Sequence, residues 1–243
     1  MNAEVLKNIL ELLCSKNEEI CSLKLQEQIR ANIEVYEEFL NAILKPDLTK
    51  ALSLSNEFIK SDADIKIFFE SVILPSLYSV GNKWENCEIS VSQEHTATSI
   101  CQKIMSEYYP RIIKYINKKQ KVLVTMSPGE FHQVGGRMLA DIIELEGYDV
   151  IFLNSDSSSK EKLNAIELEN IDYVVISTTL VSNIEKTHNL VKEIKNKFKE
   201  KSPKIIIGGQ AFFTNNVSKF IEADYLLRNT DELLDILRKS END

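Results

Sequence analysis

The 243-residue sequence predicts an α/β protein with an all-α N-terminal domain: a helical bundle, then a doubly wound parallel five-stranded sheet. Two observations carry this. Up to about residue 115 the apolar residues recur at every third and fourth position, the period of a helix with one buried face. Beyond the polar joint Asn117-Lys118-Lys119-Gln120, short Val/Ile-rich runs alternate with longer helical stretches, as in a parallel sheet covered on both faces. The boundaries this suggests are an N-terminal helical extension over 1–22, a four-helix cap over 23–116 and the α/β domain over 120–243.

The extension holds a helix over 3–15, with Val5, Ile9, Leu10 and Leu13 on one face. A longer helix runs from Leu23 to Leu44 and stops at Lys45-Pro46, since proline disfavours helix in the residue before it. The next starts near Asp47 and carries Leu52, Leu54 and Phe58. The next, from Ala63 to Trp84, places Ile67, Phe68, Val72, Leu74, Leu77 and Val80 inward, and its Pro75 predicts a kink. The last cap helix is announced by Ser90-Val91-Ser92-Gln93, a capping box, and runs through Ile100, Ile104 and Tyr108 to Pro110 or beyond. Strands are predicted at 121–126, 148–153, 172–177, 204–208 and 224–227, and helices at 133–146, 159–169, 182–200, 214–222 and 230–239.

Composition narrows the function. A net charge of −8 argues against broad contact with a phosphate backbone, and no apolar run is long enough to span a membrane. The N-terminus has early acidic residues and no small-residue cleavage site, so no signal peptide is expected. Cys14, Cys21, Cys87 and Cys101 form no CxxC pair, which fits reduced thiols in a cytoplasmic protein. Neither a P-loop nor a GxGxxG fingerprint occurs.

The stretch SPGEFHQVGG, at 127–136, follows the first strand. Doubly wound sheets bind ligands at the carboxyl ends of their strands, where this loop lies. Glu130 is close enough to hydrogen-bond one nitrogen of His132 and fix its tautomer, leaving the other for a metal. Gly135 and Gly136 remove side chains where the following helix begins. Ser177-Thr178-Thr179 and Gly208-Gly209 end two further strands with small residues that could line a slot. Singly, each feature has an ordinary explanation as a turn, a helix entry or a surface histidine.

Their order and spacing carry more. Glu130-x-His132-x-x-Gly135, Ser177-x-Thr179 and Gly208-Gly209 together resemble the signature of cobalamin-binding domains. The resemblance implies a flavodoxin-like (Rossmann-like) domain that holds cobalamin with its nucleotide tail detached from cobalt. The tail would fill the slot lined by Ser177, Thr179, Gly208 and Gly209. His132 would be the lower axial ligand of cobalt and Glu130 would tune it.

In the helical half, Trp84 lies ten positions before the pair Glu94-His95, and Val91, Glu94, His95 and Thr98 share neighbouring faces of one helix. This text resembles the cap of CarH-type cobalamin photoreceptors, where the tryptophan shields the upper face of cobalt and the residues matching Val91, Glu94 and His95 line the adenosyl pocket. Adenosylcobalamin is then the favoured form, with methylcobalamin possible. Family members that repress transcription carry a MerR-type DNA-binding domain, for which residues 1–22 are too few, so direct nucleic-acid binding is not expected. Well-studied members also have a histidine after the tryptophan, where this chain has Glu85; His95 is the other cap histidine. The expectation is a non-enzymatic light-sensing or signalling protein, a homo-oligomer, acting on a separate regulatory partner. A corrinoid methyl carrier and a light-independent cobalamin sensor are the alternatives.

Overall fold

The computed structural model describes residues 23–117, 120–212 and 221–239, with side chains from residue 32 onward. The expected helix over 3–15 and most of that over 214–222 lie outside the described residues. The chain divides into two compact units between Arg111 and Ile112.

The first unit is helical: α1 (Leu23–Leu44), α2 (Leu48–Phe58), α3 (Ala63–Phe68), α4 (Leu74–Glu85) and α5 (Val91–Ile112). Asp47 caps α2 by accepting from the Lys50 amide at 2.9 Å. Phe39, Phe68 and Phe69 are fully buried, and the Phe39 and Phe68 rings meet edge to face with centroids 5.5 Å apart. Tyr108 ties α5 to α2 by donating from its hydroxyl to Asn56 Oδ1 at 2.9 Å. Among the described residues no helix is long and apolar enough to cross a membrane.

The helix expected over 63–84 is not continuous. A π-turn, Phe69–Ile73, separates α3 from α4, and the Leu74 amide reaches back five residues to the Phe69 carbonyl. Pro75 gives the reason: it has no N–H for the carbonyl four residues earlier and its ring would strike that carbonyl, so the helix widens before it. Ile67, expected inward, is 43% exposed because it lies off the stripe Ile65, Phe68, Phe69, Val72.

The second unit contains β1 (Lys121–Met126), α6 (Gln133–Leu145), β2 (Asp149–Leu153), α7 (Ser159–Glu169), β3 (Tyr173–Ser177), α8 (Ile184–Phe198), β4 (Lys204–Gly208), β5 (Tyr225–Leu226) and α9 (Thr230–Lys239). All strands are parallel, in the order β2-β1-β3-β4-β5. Alternate residues of each strand feed two cores. Leu123, Val174, Ile176, Ile205 and Ile207 pack with α7 and α8 on one face. Val122, Val124, Val175 and Ile206 pack with α6 and α9 on the other. The expected strand over 224–227 is reduced to two exposed residues at the sheet edge. The chain reverses direction across the sheet between β1 and β3, so the loops leaving these two strands flank the crevice where such folds place ligands.

Candidate functional site

The loop after β1 carries the site. Gly129 takes a left-handed backbone conformation (φ +77°) and turns the chain so that Glu130 points inward while Phe131 and His132 face out. Glu130 is fully buried, yet every approach to its carboxylate is a donor. Its Oε2 accepts from the backbone amides of Thr179 and Leu180, both at 3.0 Å, and from the side-chain amide of Asn183 at 3.2 Å. Its Oε1 accepts from His132, from the ring Nδ1 at 2.5 Å and from the backbone amide at 3.3 Å. Burial alone would raise this carboxyl's pKa; the bonds from His132, Leu180, Asn183 and Thr179 outweigh it and bring it down to about 2. Glu130 is therefore an anion at neutral pH, and an anion can only accept. Nδ1 is therefore the donor in this bond, and Nε2 is the nitrogen that the bond does not use, on a ring that is 54% exposed. Donation from Nδ1 is the arrangement usual in metal-binding histidines, which ligate through the other nitrogen.

The donors to Glu130 come from the loop after β3. That loop is anchored by Ser127, whose amide donates to the Ser177 carbonyl at 2.9 Å and whose hydroxyl donates to the Asn183 carbonyl at 3.1 Å. Thr187 donates to the Ser127 hydroxyl at 2.9 Å and lies 2.8 Å from the Thr178 hydroxyl, so a buried chain of hydroxyls pins the exits of β1 and β3 together.

The small residues divide by cause. Gly209 has φ +110°, and a Cβ there would run into the Thr178 carbonyl and amide, so this glycine is required by the close packing of the β3 and β4 exits. At Gly208, which pairs with Ser177, a Cβ would find only ordinary contact with Leu227. Gly136 packs against Met126. At Gly135 a Cβ would meet nothing within 4 Å. Glycine costs up to about 1 kcal/mol relative to alanine in a helix, and among the described residues no neighbouring atom requires it here. An open, side-chain-free patch three residues from a half-exposed imidazole suits a bulky planar group lying against the loop.

The structure thus brings Glu130, His132 and the Thr179 backbone into direct contact or one bond apart, with Ser177 and Gly208 paired at the neighbouring strand ends. In the helical unit, Trp84, the next-to-last residue of α4, is 45% exposed, and Val91, the first of α5, is 52% exposed. The Ser90–Gln93 capping box is formed: the Ser90 amide donates to Gln93 Oε1 at 2.9 Å and the Gln93 amide to Ser90 Oγ at 3.3 Å. Glu94 takes His95 Nδ1 at 2.7 Å and the Thr98 hydroxyl at 2.8 Å. His188 lies half-buried on α8.

Two residues escaped the sequence reading. Asn183 is 3% exposed and bonds Glu130 across 53 positions of chain. Lys162, on α7, is fully buried and donates from Nζ to the Met126 carbonyl at 2.9 Å; burial lowers its pKa to about 8. Register explains the lysine. The last β1–β2 pair is Thr125 with Leu153, so Met126 lies past the end of β2, and the ammonium takes the place of a strand amide. Among the described residues, no three His, Cys, Asp or Glu side chains gather to hold a metal ion.

Comparison with known proteins agrees with this chemistry. Residues 120–234 match the model of a B12 binding domain, and residues 35–108 match that of a second B12 binding domain. The chain is 21% identical over 181 residues to a corrinoid protein of Desulfitobacterium hafniense strain Y51, covering 73% of this chain and 84% of that one. It is also 21% identical over 130 residues to monomethylamine corrinoid protein 1 of Methanosarcina mazei, covering 52% of this chain and 60% of that one. Among solved structures, the monomethylamine corrinoid protein of Methanosarcina barkeri shares the fold: the TM-score is 0.70 at 17% identity, over 86% of this chain and 99% of that one.

Proposed function

We infer that this chain, which carries two B12 binding domains one after the other, is a corrinoid protein that holds a methyl group between the enzymes of a methyltransferase system. The cofactor is cobalamin. The observation that supports the site is the imidazole of His132, held through Nδ1 by the buried Glu130 anion, with Nε2 as the ring nitrogen that this bond does not use. When bound, cobalamin supplies a cobalt that takes up a methyl group and gives it away. His132 would hold that cobalt. Glu130 keeps the ring oriented and raises its basicity. Gly135 leaves room for the corrin edge, while Ser177, Thr179, Gly208 and Gly209 border the space for the nucleotide tail. The carrier reading gains over light sensing because the relatives above are corrinoid proteins, one of them named for monomethylamine.

The test mixes the full chain, loaded with cobalamin and reduced, with a corrinoid-dependent methyltransferase and its methylated substrate. Methyl uptake that is faster on the protein than on free cobalamin, read from the absorption spectrum, is the expected result. Tight cobalamin binding without such uptake from methylated amines or methanol would sink the carrier role.

Light sensing of the CarH type stays as the second reading because of the end of the helical unit, where exposed Trp84 and Val91 accompany the Glu94–His95–Thr98 cluster. In that reading these residues form the adenosyl pocket, and illumination changes the oligomeric state or the binding of a regulatory partner. Molar mass of the adenosylcobalamin-loaded chain, measured in the dark and after green light, separates the two: a change favours the sensor, and constancy the carrier.

A further inference from the structure

We infer that Lys162 is a positioning residue for His132: its buried ammonium holds the exit of β1 on the side where β2 has ended, and so sets the course of the loop that carries the imidazole. This rests on the reading of His132 as the cobalt ligand.

Met126 is the last residue of β1 and is fully buried. On one side it pairs with Ser177 of β3, while on the other the last pair is Thr125 with Leu153. Side chains close this open side. The Thr125 hydroxyl donates to the Leu153 carbonyl at 2.9 Å, and Lys162 Nζ donates to the Met126 carbonyl at 2.9 Å. The Thr125 hydroxyl also lies 3.5 Å from the Met126 carbonyl, but it has one proton, and the shorter bond to Leu153 takes it. Lys162 is thus the side chain that holds Met126 from this direction.

The loop is held from both flanks. Towards β3, Glu130 is gripped by the amides of Thr179, Leu180 and Asn183. Towards β2, the grip is that of Lys162 on the residue from which the loop departs. Met126 also supports the helix that His132 caps, since its sulfur occupies the space that Gly136 leaves free. A displacement of Met126 therefore reaches His132 twice, through the loop and through the start of α6.

Lys162 is itself firmly seated. A capping box fixes the start of α7: Ser158 Oγ accepts from the Glu161 amide at 3.2 Å, and the Glu161 carboxylate accepts from the Ser158 amide at 2.6 Å. Glu161 is the charged group that acts on Lys162, and its carboxylate is turned to Ser158; the β1 groups beside the ammonium, Thr125 and the Met126 carbonyl, are uncharged. A charged donor bonds about twice as strongly as a neutral one. Loss of the proton above about pH 8 leaves an amine that still donates but holds Met126 less firmly. Folding stability responds in the opposite sense, because a lowered folded pKa favours the folded state as pH rises from 8 towards 10.5. A residue that only supported the fold would not weaken ligation while the fold gains.

The experiment loads the full chain with cob(II)alamin and follows the nitrogen splitting in its electron paramagnetic resonance spectrum, with cobalamin affinity from titration and denaturant unfolding of the apo chain, from about pH 7 to about pH 9.5. In the parent, the nitrogen-ligated share of cobalt should fall across this range while the apo chain becomes harder to unfold. Lys162→Met, which fills the space without a donor, should bind cobalamin about tenfold more weakly at neutral pH, show a smaller nitrogen-ligated share and lose the pH dependence. Parent-like ligation and affinity in Lys162→Met overturn the inference. So does a nitrogen-ligated share in the parent that stays flat with pH, a result that decides the matter even if Lys162→Met does not fold. His132→Ala tests the underlying reading separately: if the nitrogen splitting survives there, His132 is not the ligand, and if it is lost there while Lys162→Met matches the parent, the inference about Lys162 alone fails.

Discussion

Replacing Glu130 by glutamine tests the centre of the site, because the change keeps the shape and alters only charge and donor pattern. Three N–H groups converge on Oε2, so the glutamine oxygen must take that position and its NH₂ group must take the place of Oε1. There it faces His132 Nδ1, which in the parent protein is a donor. Two donors cannot share that contact, so the proton must move to Nε2, and Nε2 then has no lone pair for cobalt. Removing the partner that orients a metal-binding histidine costs about 10–100-fold in metal affinity. The loaded Glu130→Gln protein should bind cobalamin more weakly by that factor and lose the nitrogen splitting of its cob(II)alamin spectrum.

The same substitution has a signature without cofactor. Glu130 is fully buried, and its carboxyl is held at about 2 against an ordinary 4.5. At about 1.4 kcal/mol for each tenfold in proton affinity, this corresponds to about 3 kcal/mol. Because the folded pKa is depressed, that stability is fully present above pH 4.5 and is lost as pH falls through 2. Denaturant unfolding of both apo proteins should give a gap that is constant near neutrality and narrows by about 3 kcal/mol towards pH 2. Full nitrogen ligation at parent affinity in Glu130→Gln would refute the tautomer argument, and a gap that does not narrow in acid would refute the electrostatic one.

Gly135→Ala should stabilise the apo protein by up to about 1 kcal/mol, since the helix gains and nothing is struck, yet weaken cobalamin binding in a direct titration. Unchanged binding would show that no ligand approaches there. Gly209→Ala should instead destabilise the apo protein by about 1–3 kcal/mol in denaturant unfolding, because the backbone conformation and the Thr178 backbone both exclude a side chain. Lys162 has a folded pKa of about 8 against an ordinary 10.5, so the folded state binds fewer protons between these values and gains stability as pH rises through them. Relative to Lys162→Met, the parent should therefore gain up to about 3 kcal/mol from pH 8 to 10.5, and a flat difference would contradict the buried position.

Strand runs and helix periods were legible because each depends on neighbours in sequence. Four of the five strands and the Ser90 capping box lie where the residues place them. The π-turn before Pro75 was half legible, since proline announces a break but not whether the chain kinks or widens. The Glu130–His132 bond was legible because the two residues are two positions apart. Asn183 and Lys162 were not. Asn183 reaches Glu130 only because β3 lies beside β1, and Lys162 is buried only because β2 ends one residue before Met126 does. Both facts belong to sheet register, which local pattern does not encode.

The glycines of the site show why a motif read as one unit has to be taken apart. In the sequence, Gly135, Gly208 and Gly209 all suggest space for a cofactor. In the structure Gly209 is accounted for by the Thr178 backbone, and Gly136 by Met126, so both would be glycine with no ligand at all. Their presence supports the fold. Gly135 stands apart: among the described residues a Cβ there would meet nothing within 4 Å, so the space beside it is open to the cofactor in the proposed reading. The same logic applies to the anion. A buried carboxylate that only completed the core could be replaced by an apolar side chain, yet Glu130 is held by five donors, one of them the exposed imidazole. That imidazole belongs to the N-cap residue of α6, and Gly135 is the third residue of the same helix, so the two features the proposed reading relies on lie three positions apart.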